Sequence, residues 1–202
     1  MKYLSIDLET TGLEPRRNCI IEFGAIFDDT EKPEVPISEL PVFHCYLSPP
    51  EGGYIGSPQA LAMNGKIFQI IADKIKNGEH VHHTSYFPDC LMDCHNVGPA
   101  FKKWTKELGF DPKRGITGAG KNFGTFDLQF INYWLGGMPR FHHRVLDPAM
   151  FFMSASDAEI PNTFTCMERA KIPGQVEHTA LADAAVVVQL VRKGLAFCGV
   201  KL

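Results

Sequence analysis

The chain has 202 residues, 45% of them hydrophobic and 21% charged, with a formal net charge of −3. That length and apolar content suit one globular domain closed around a single core and require no second domain. No apolar run approaches the roughly 20 residues of a membrane span, and the six cysteines lack the density and spacing of a secreted disulfide scaffold.

The N-terminal residues Met1 to Ile6 lead straight into a strand-like segment, without the basic region, apolar stretch and cleavage site of a signal peptide. A cytoplasmic protein with free thiols and no membrane association is therefore the expectation, and Cys19, Cys45 and Cys198 read as core residues. The mild acidity carries little information once the clustered acids described below are set aside. No basic stripe is evident beyond Lys102-Lys103-Lys106 and Arg140-His142-His143-Arg144, and each of these reads as a solvated helix face or loop.

In chain order, Tyr3 to Leu8 and Ile20 to Phe27 are β-prone runs separated by the turn residues Thr10-Thr11-Gly12-Leu13-Glu14-Pro15, which predicts a hairpin. A third strand is expected at Val42 to Leu47. A short helix should open at Ser57-Pro58, with serine as N-cap and proline in the first position, and end at Asn64-Gly65. Residues from about Lys66 to Val97 lack a clear period and read as a loop insertion. A helix over Pro99 to Leu108 follows, then a strand at Gly115 to Ala119, a helix over about Thr125 to Trp134, and a short strand at Val145-Leu146. Helices at Thr163 to Ala170 and Thr179 to Phe197 complete the pattern, the last unbroken until Gly199. Strands followed by alternating helices and strands predict an α/β fold, a central mixed sheet flanked by helices.

Acids fall at telling places on these elements. Asp7 and Glu9 alternate with Ile6 and Leu8, so in a strand both carboxylates share one face while their neighbours enter the core. Asp127 falls in the first turn of a helix, where the positive end of the dipole favours a carboxylate. His178 and Asp183 flank the start of the last helix and can overhang one cavity. Converging carboxylates repel and resist desolvation unless cations join them. Oxygen donors of this kind select Mg²⁺ or Mn²⁺. Asp7 alone suits a strand-end cap and Asp127 alone a helix-start charge; the ordered coincidence is what points to chemistry.

Three motifs carry a family resemblance: Ile6-Asp7-Leu8-Glu9-Thr10-Thr11-Gly12-Leu13, Asn122-Phe123-Gly124-Thr125-Phe126-Asp127, and His178-Thr179-Ala180-Leu181-Ala182-Asp183-Ala184. Weaker matches lie at Ser57 to Gly65 and at His143 to Pro148. With these in order, the chain resembles the DEDDh-type 3′-to-5′ exonucleases of the DnaQ-like, ribonuclease H-like superfamily over nearly its whole length, the 66–97 segment excepted. In that family the second motif often has one residue fewer between its Asn and its Asp. The resemblance implies a ribonuclease H-like fold in which Asp7, Glu9, Asp127 and Asp183 hold two Mg²⁺ or Mn²⁺ ions and His178 acts as general base. It further implies that Leu8, Thr10, Gly12, Leu13 and Asn122 border the substrate, with Leu8 or Leu13 wedged beside the last base. Asn122 reads as tying the strand end to the site, and Asp147 as a turn or cap residue.

The implied activity is release of 5′-mononucleotides from the 3′ end of single-stranded DNA or RNA. The alternative is a nucleic-acid-binding or polymerase-associated proofreading module with little turnover; the intact set of five residues favours the enzyme. A free monomer, a homodimer and a polymerase-bound subunit share these motifs. His82-His83-x6-Cys90-x3-Cys94-His95 lacks the paired C-x2-C spacing of a zinc knuckle and reads instead as loop residues, in a position to border the substrate groove.

Overall fold

A computed structural model describes residues 1–81, 86–174 and 177–199. Among them, six strands form one mixed sheet: β1 (Lys2–Thr10), β2 (Ile20–Asp29), β3 (Val42–Leu47), β4 (His80–Val81), β5 (Cys90–Met92) and β6 (Gly118–Ala119), in the spatial order β4-β5-β3-β2-β1-β6. β1 and β3 both run antiparallel to β2, as the hairpin reading requires, whereas β6 is parallel to β1 and β5 is parallel to β3 and β4. Six helices accompany the sheet: α1 (Pro58–Met63), α2 (Gly65–Lys76), α3 (Cys94–Glu107), α4 (Asp127–Trp134), α5 (Thr163–Ala170) and α6 (Ala180–Phe197). None of the described helices is long and apolar enough to cross a membrane.

Alternation along β1 decides what each face of the sheet packs. Leu4, Ile6 and Leu8 join Phe23, Phe43, Val97, Phe101, Phe130 and Ile131 in the main core, beneath α3 and α4. Tyr3 points the other way, toward Val187 and Val191 of α6, and Ser5 donates its hydroxyl to Ala184 O at 2.7 Å. The α6 residues Ala180, Ala184, Val187, Val188 and Val191 recur at helical spacing and bury that face. Below them Asp28, wholly buried, accepts hydrogen bonds from Tyr3 Oη at 2.7 Å and from Arg192 Nη2 at 2.6 Å, so α6 is tied to the sheet by charge as well as by packing. Asp7 and Glu9 lie on this α6 face, one turn of the pleat beyond Ser5.

Local chemistry sets the helix ends. Ser57 Oγ accepts Ala60 N–H at 3.2 Å to open α1, and Asn162 Oδ1 accepts Thr165 N–H at 2.9 Å to open α5, which Lys171 closes in the left-handed region at φ 55°.

The stretch expected as a loop from 66 to 97 instead contains α2, β4, β5 and the start of α3. Asn64 ends α1 but also serves as the residue ahead of α2, so the Asn-Gly pair marks a corner between two helices, and Ile67 and Ile71 bury one face of the second. α3 likewise starts at Cys94, five residues before the expected Pro99, which sits inside the helix. The strand expected over Gly115–Ala119 shortens to two residues, and Val145-Leu146 contributes only an isolated bridge from Leu146 to Ala119. Cys19 and Cys45 are buried as expected; Cys198 is exposed, because it falls past the end of α6, and all six thiols are free.

Candidate metal centre

The hairpin brings the first two acids to the mouth of the sheet. Asp7 pairs with Gly24 and Glu9 with Glu22 across β1 and β2, just before the register shifts between Glu9 and Thr10. The glycine at 24 is a steric requirement: a Cβ there would lie 2.6 Å from the carbonyl carbon of Ala180 and 2.7 Å from the nitrogen of Leu181. Without a side chain at that position, the first turn of α6 comes down onto β2 and carries Asp183 to the carboxylates of β1. One oxygen from each of Asp7, Glu9 and Asp183 then lies within 4.8 Å of the others. Among the described residues, none of the three is paired with a lysine or arginine.

Asp127 arrives from the other side, as the first residue of α4, and is 2% exposed. It stands outside the 4.8 Å group but is the largest Coulombic neighbour of Asp7. Burial, followed by the charges of Asp127, Asp183, Glu9 and Glu22, pushes the Asp7 carboxyl well above the usual carboxylate range. Glu9 is pushed up to about 8 by burial, then by Glu22, Asp183 and Asp127. Burial raises Asp127 to about 7 against the opposing backbone N–H groups of Asp127 itself and Leu8. Asp183 rises to about 6 through burial, with the neighbouring His178 opposing the rise and Glu22 and Glu177 adding to it.

A cluster with every carboxyl shifted upward lacks positive charge, which a divalent cation would supply. The donor set fits such an ion: it is all oxygen, and Asp183 Oδ1 is buried without a hydrogen-bond partner among the described residues.

His178 holds a left-handed backbone at φ 53° two residues before α6 and is exposed. With Glu177 and Thr179 it faces Met63, Asn64 and Lys66 across a cavity of about 640 Å³. The residues expected to border substrate separate into two kinds. Leu8 is 5% exposed and belongs to the core, because even-numbered positions of β1 face α3 and α4, so it has no surface to wedge beside a base. Thr10 is buried and donates its hydroxyl to Gly12 O at 2.7 Å, and Gly12 is a packing glycine whose Cβ would meet the Asn18 side chain at 2.6 Å. These two shape the β1–β2 loop. Leu13, by contrast, is 81% exposed and lines a cavity of about 380 Å³ with Arg16 of its own loop and Gln129 and Tyr133 of the neighbouring helix α4. Trp134 Nε1 clamps that loop by donating to Pro15 O at 3.0 Å and Asn18 O at 2.9 Å.

Asn122 is exposed, at φ 61°, and its N–H donates to Asp147 Oδ2 at 3.1 Å while its carbonyl accepts Thr125 and Phe126 N–H groups. It shapes the turn that delivers Asp127. Asp147 also caps the following 3₁₀ turn by accepting Ala149 N–H at 2.9 Å, a turn and cap role.

Two residues that sequence reasoning passed over belong to the surroundings of the site. Glu22, 1% exposed, lies directly opposite Glu9; a lone acid inside the apolar run Ile20 to Phe27 was its only signal. Asn64, also 1% exposed, donates from Nδ2 to Thr10 O at 3.1 Å and pins the end of β1 to the corner of α1 and α2. As for zinc, the Asp7, Glu9 and Asp183 group is the only set of three or more His, Cys, Asp or Glu gathered closely enough for a metal ion among the described residues, and His82 and His83 lie outside them. No family model and no curated protein matches the chain.

Proposed function

We propose that the chain is a metal-dependent 3′-to-5′ exonuclease of the DEDDh, DnaQ-like type with a ribonuclease H-like fold, releasing 5′-mononucleotides from single-stranded DNA or RNA. The observation that carries this reading is the convergence of Asp7, Glu9 and Asp183 within 4.8 Å, from a strand and a helix far apart in sequence. Asp127 is close enough to raise the Asp7 carboxyl, which brings all four motif acids into one electrostatic unit. A mixed sheet with helices on both faces is compatible with the ribonuclease H-like arrangement.

Asp7, Glu9 and Asp183, with Asp127 beside them, would hold divalent ions whose charge neutralises the scissile phosphate and orients it for in-line displacement. The chain's own groups do the rest. His178 stands exposed just ahead of α6, close enough to Asp183 to oppose the rise of its carboxyl, and as general base it would take the proton of the attacking water; a well-placed base contributes on the order of 10²–10⁴ in rate. The water oxygen bonds to phosphorus, the 3′ oxygen of the preceding nucleotide leaves, and the last nucleotide departs with a 5′ phosphate. Leu13 offers the exposed apolar edge that a terminal base would meet, on a loop that Thr10, Gly12 and the Trp134 clamp hold in shape.

Asp7→Ala and Asp183→Ala should each abolish mononucleotide release in Mg²⁺ while the circular dichroism spectrum stays that of the native fold. Undiminished hydrolysis by either variant contradicts the assignment.

A further inference from the structure

Beside the carboxylate cluster, a second chain of polar groups runs along the α6 face of the sheet, from β2 across β3 to the turn ahead of β5. Glu22, buried opposite Glu9, uses both carboxylate oxygens: Oε2 accepts the N–H of Ala180 at 3.0 Å, and Oε1 accepts from His44 Nε2 at 2.6 Å. Ala180 is the first residue of α6, whose preceding residue Thr179 makes no side-chain cap. Glu22 thus satisfies an N-terminal N–H of that helix from outside, in the place where a capping side chain would otherwise act. His44, 4% exposed on β3, has its other ring nitrogen 2.5 Å from Asp89 Oδ1, so the imidazole lies between two carboxylates.

The turn that carries Asp89 grips His44 in two further ways. Tyr86 Oη accepts the His44 N–H at 2.8 Å, and the Asp89 N–H donates to His44 O at 3.0 Å. The Tyr86 ring stacks on Phe43 at 4.0 Å between centroids, and Asp89 adopts φ 62° to make its contacts. Three successive grips therefore connect the 86–89 turn to His44, His44 to Glu22, and Glu22 to the first turn of the helix bearing Asp183. With both oxygens engaged, Glu22 is a poor candidate for a metal ligand and a good one for a support.

We propose that the turn at Tyr86 to Asp89, acting through His44 and Glu22, positions the first turn of α6 and so sets how tightly Asp183 holds a divalent ion. Tyr86, Asp89, His44 and Glu22 are positioning residues in this arrangement, and they make the 86–89 turn a remote control point for the site. The proposal rests on the metal-centre reading above.

The test is Mn²⁺ binding to the full chain, followed by the electron paramagnetic resonance signal of free Mn²⁺, beside kcat and KM on a single-stranded oligonucleotide. The Asp89 side chain is 66% exposed, so its truncation removes little buried volume. Asp89→Ala should weaken Mn²⁺ binding about tenfold, the scale of supporting groups around metal ligands, and lower kcat with little change in KM. Asp89→Asn keeps an acceptor for the imidazole and tolerates positive φ, and should restore binding to within about twofold of the native chain. Tyr86→Phe, which keeps the stack on Phe43 and loses the hydroxyl, should show a smaller loss of the same kind. Native Mn²⁺ affinity in Asp89→Ala overturns the proposal, as does an equal loss in Asp89→Asn, which would mean that charge and not position is transmitted. Absence of Mn²⁺ binding by the unmodified chain overturns the metal centre itself and is distinguishable from both.

Discussion

Replacing Glu9 by glutamine should stabilise the metal-free protein. Glu9 is 8% exposed among like charges, and its carboxyl is pushed up to about 8 from an ordinary 4.5. At pH 7 the folded chain keeps a proton there that an unfolded glutamate would have released, and the difference between 4.5 and 7 costs about 3 kcal/mol at about 1.4 kcal/mol for each tenfold change in proton affinity. Glutamine keeps the shape and removes the charge, so about 3 kcal/mol is the upper figure for the gain. For a chain of this size that corresponds to a rise in melting temperature of roughly 6 to 12 °C. The assay is thermal unfolding of Glu9→Gln and the native chain at neutral pH in EDTA, repeated in Mg²⁺. In Mg²⁺ the native chain should recover, because an ion bound only by the folded state contributes about 2.7 kcal/mol at a hundredfold excess over its Kd, and the variant binds it less well. A variant that melts at or below the native temperature in EDTA would refute the electrostatic reasoning.

The same carboxyls set a pH dependence. Glu9, Asp127 and Asp183 bind protons more tightly folded than unfolded, so their contribution to stability is most favourable at low pH. It declines as pH rises from ordinary values of 4.5 and 3.8 through about 6, 7 and 8, and it is level above that. Urea midpoints in EDTA should fall across this window and flatten with Mg²⁺ present; a midpoint that climbs toward about 8 in EDTA is the contrary result. At the other end of α6, Arg192→Met leaves Asp28, wholly buried, with only the Tyr3 hydroxyl, and should destabilise the fold by about 3 kcal/mol in urea denaturation. A loss under about 1 kcal/mol would show that the Arg192 pair contributes no more than a surface ion pair.

Much of the framework is legible because its signals are local. The alternation of Leu4, Ile6 and Leu8 with Asp7 and Glu9 fixes which face of β1 each residue takes, and β3 and α5 begin and end where their apolar runs do. Over 66–97 the sequence misleads, because Asn64-Gly65 has the composition of a stop signal and the i, i+4 pair Ile67 and Ile71 that follows it is short. α3 starts earlier than its sequence suggests, because proline suits a first turn, whereas here Pro99 is accommodated within the helix. The resemblance implies a substrate contact for Leu8, whereas its own parity in β1 sends it to the core.

Glu22 was out of reach for a different reason. Its place opposite Glu9 depends on the register of a hairpin whose long loop does not fix it and whose last pairing is shifted by an irregularity at Glu9 and Thr10. The links from Glu22 to His44 and on to Asp89 are contacts between distant segments, which no local pattern encodes.

The central claim is a metal-dependent removal of nucleotides from a 3′ end, and digestion of a 5′-labelled single-stranded oligonucleotide, as DNA and as RNA, tests it most directly. The expected result is a ladder shortened one nucleotide at a time from the 3′ end in Mg²⁺ or Mn²⁺, with 5′-mononucleotide as product and no cleavage in EDTA. Internal cuts, shortening from the 5′ end, or hydrolysis that persists in EDTA would contradict it.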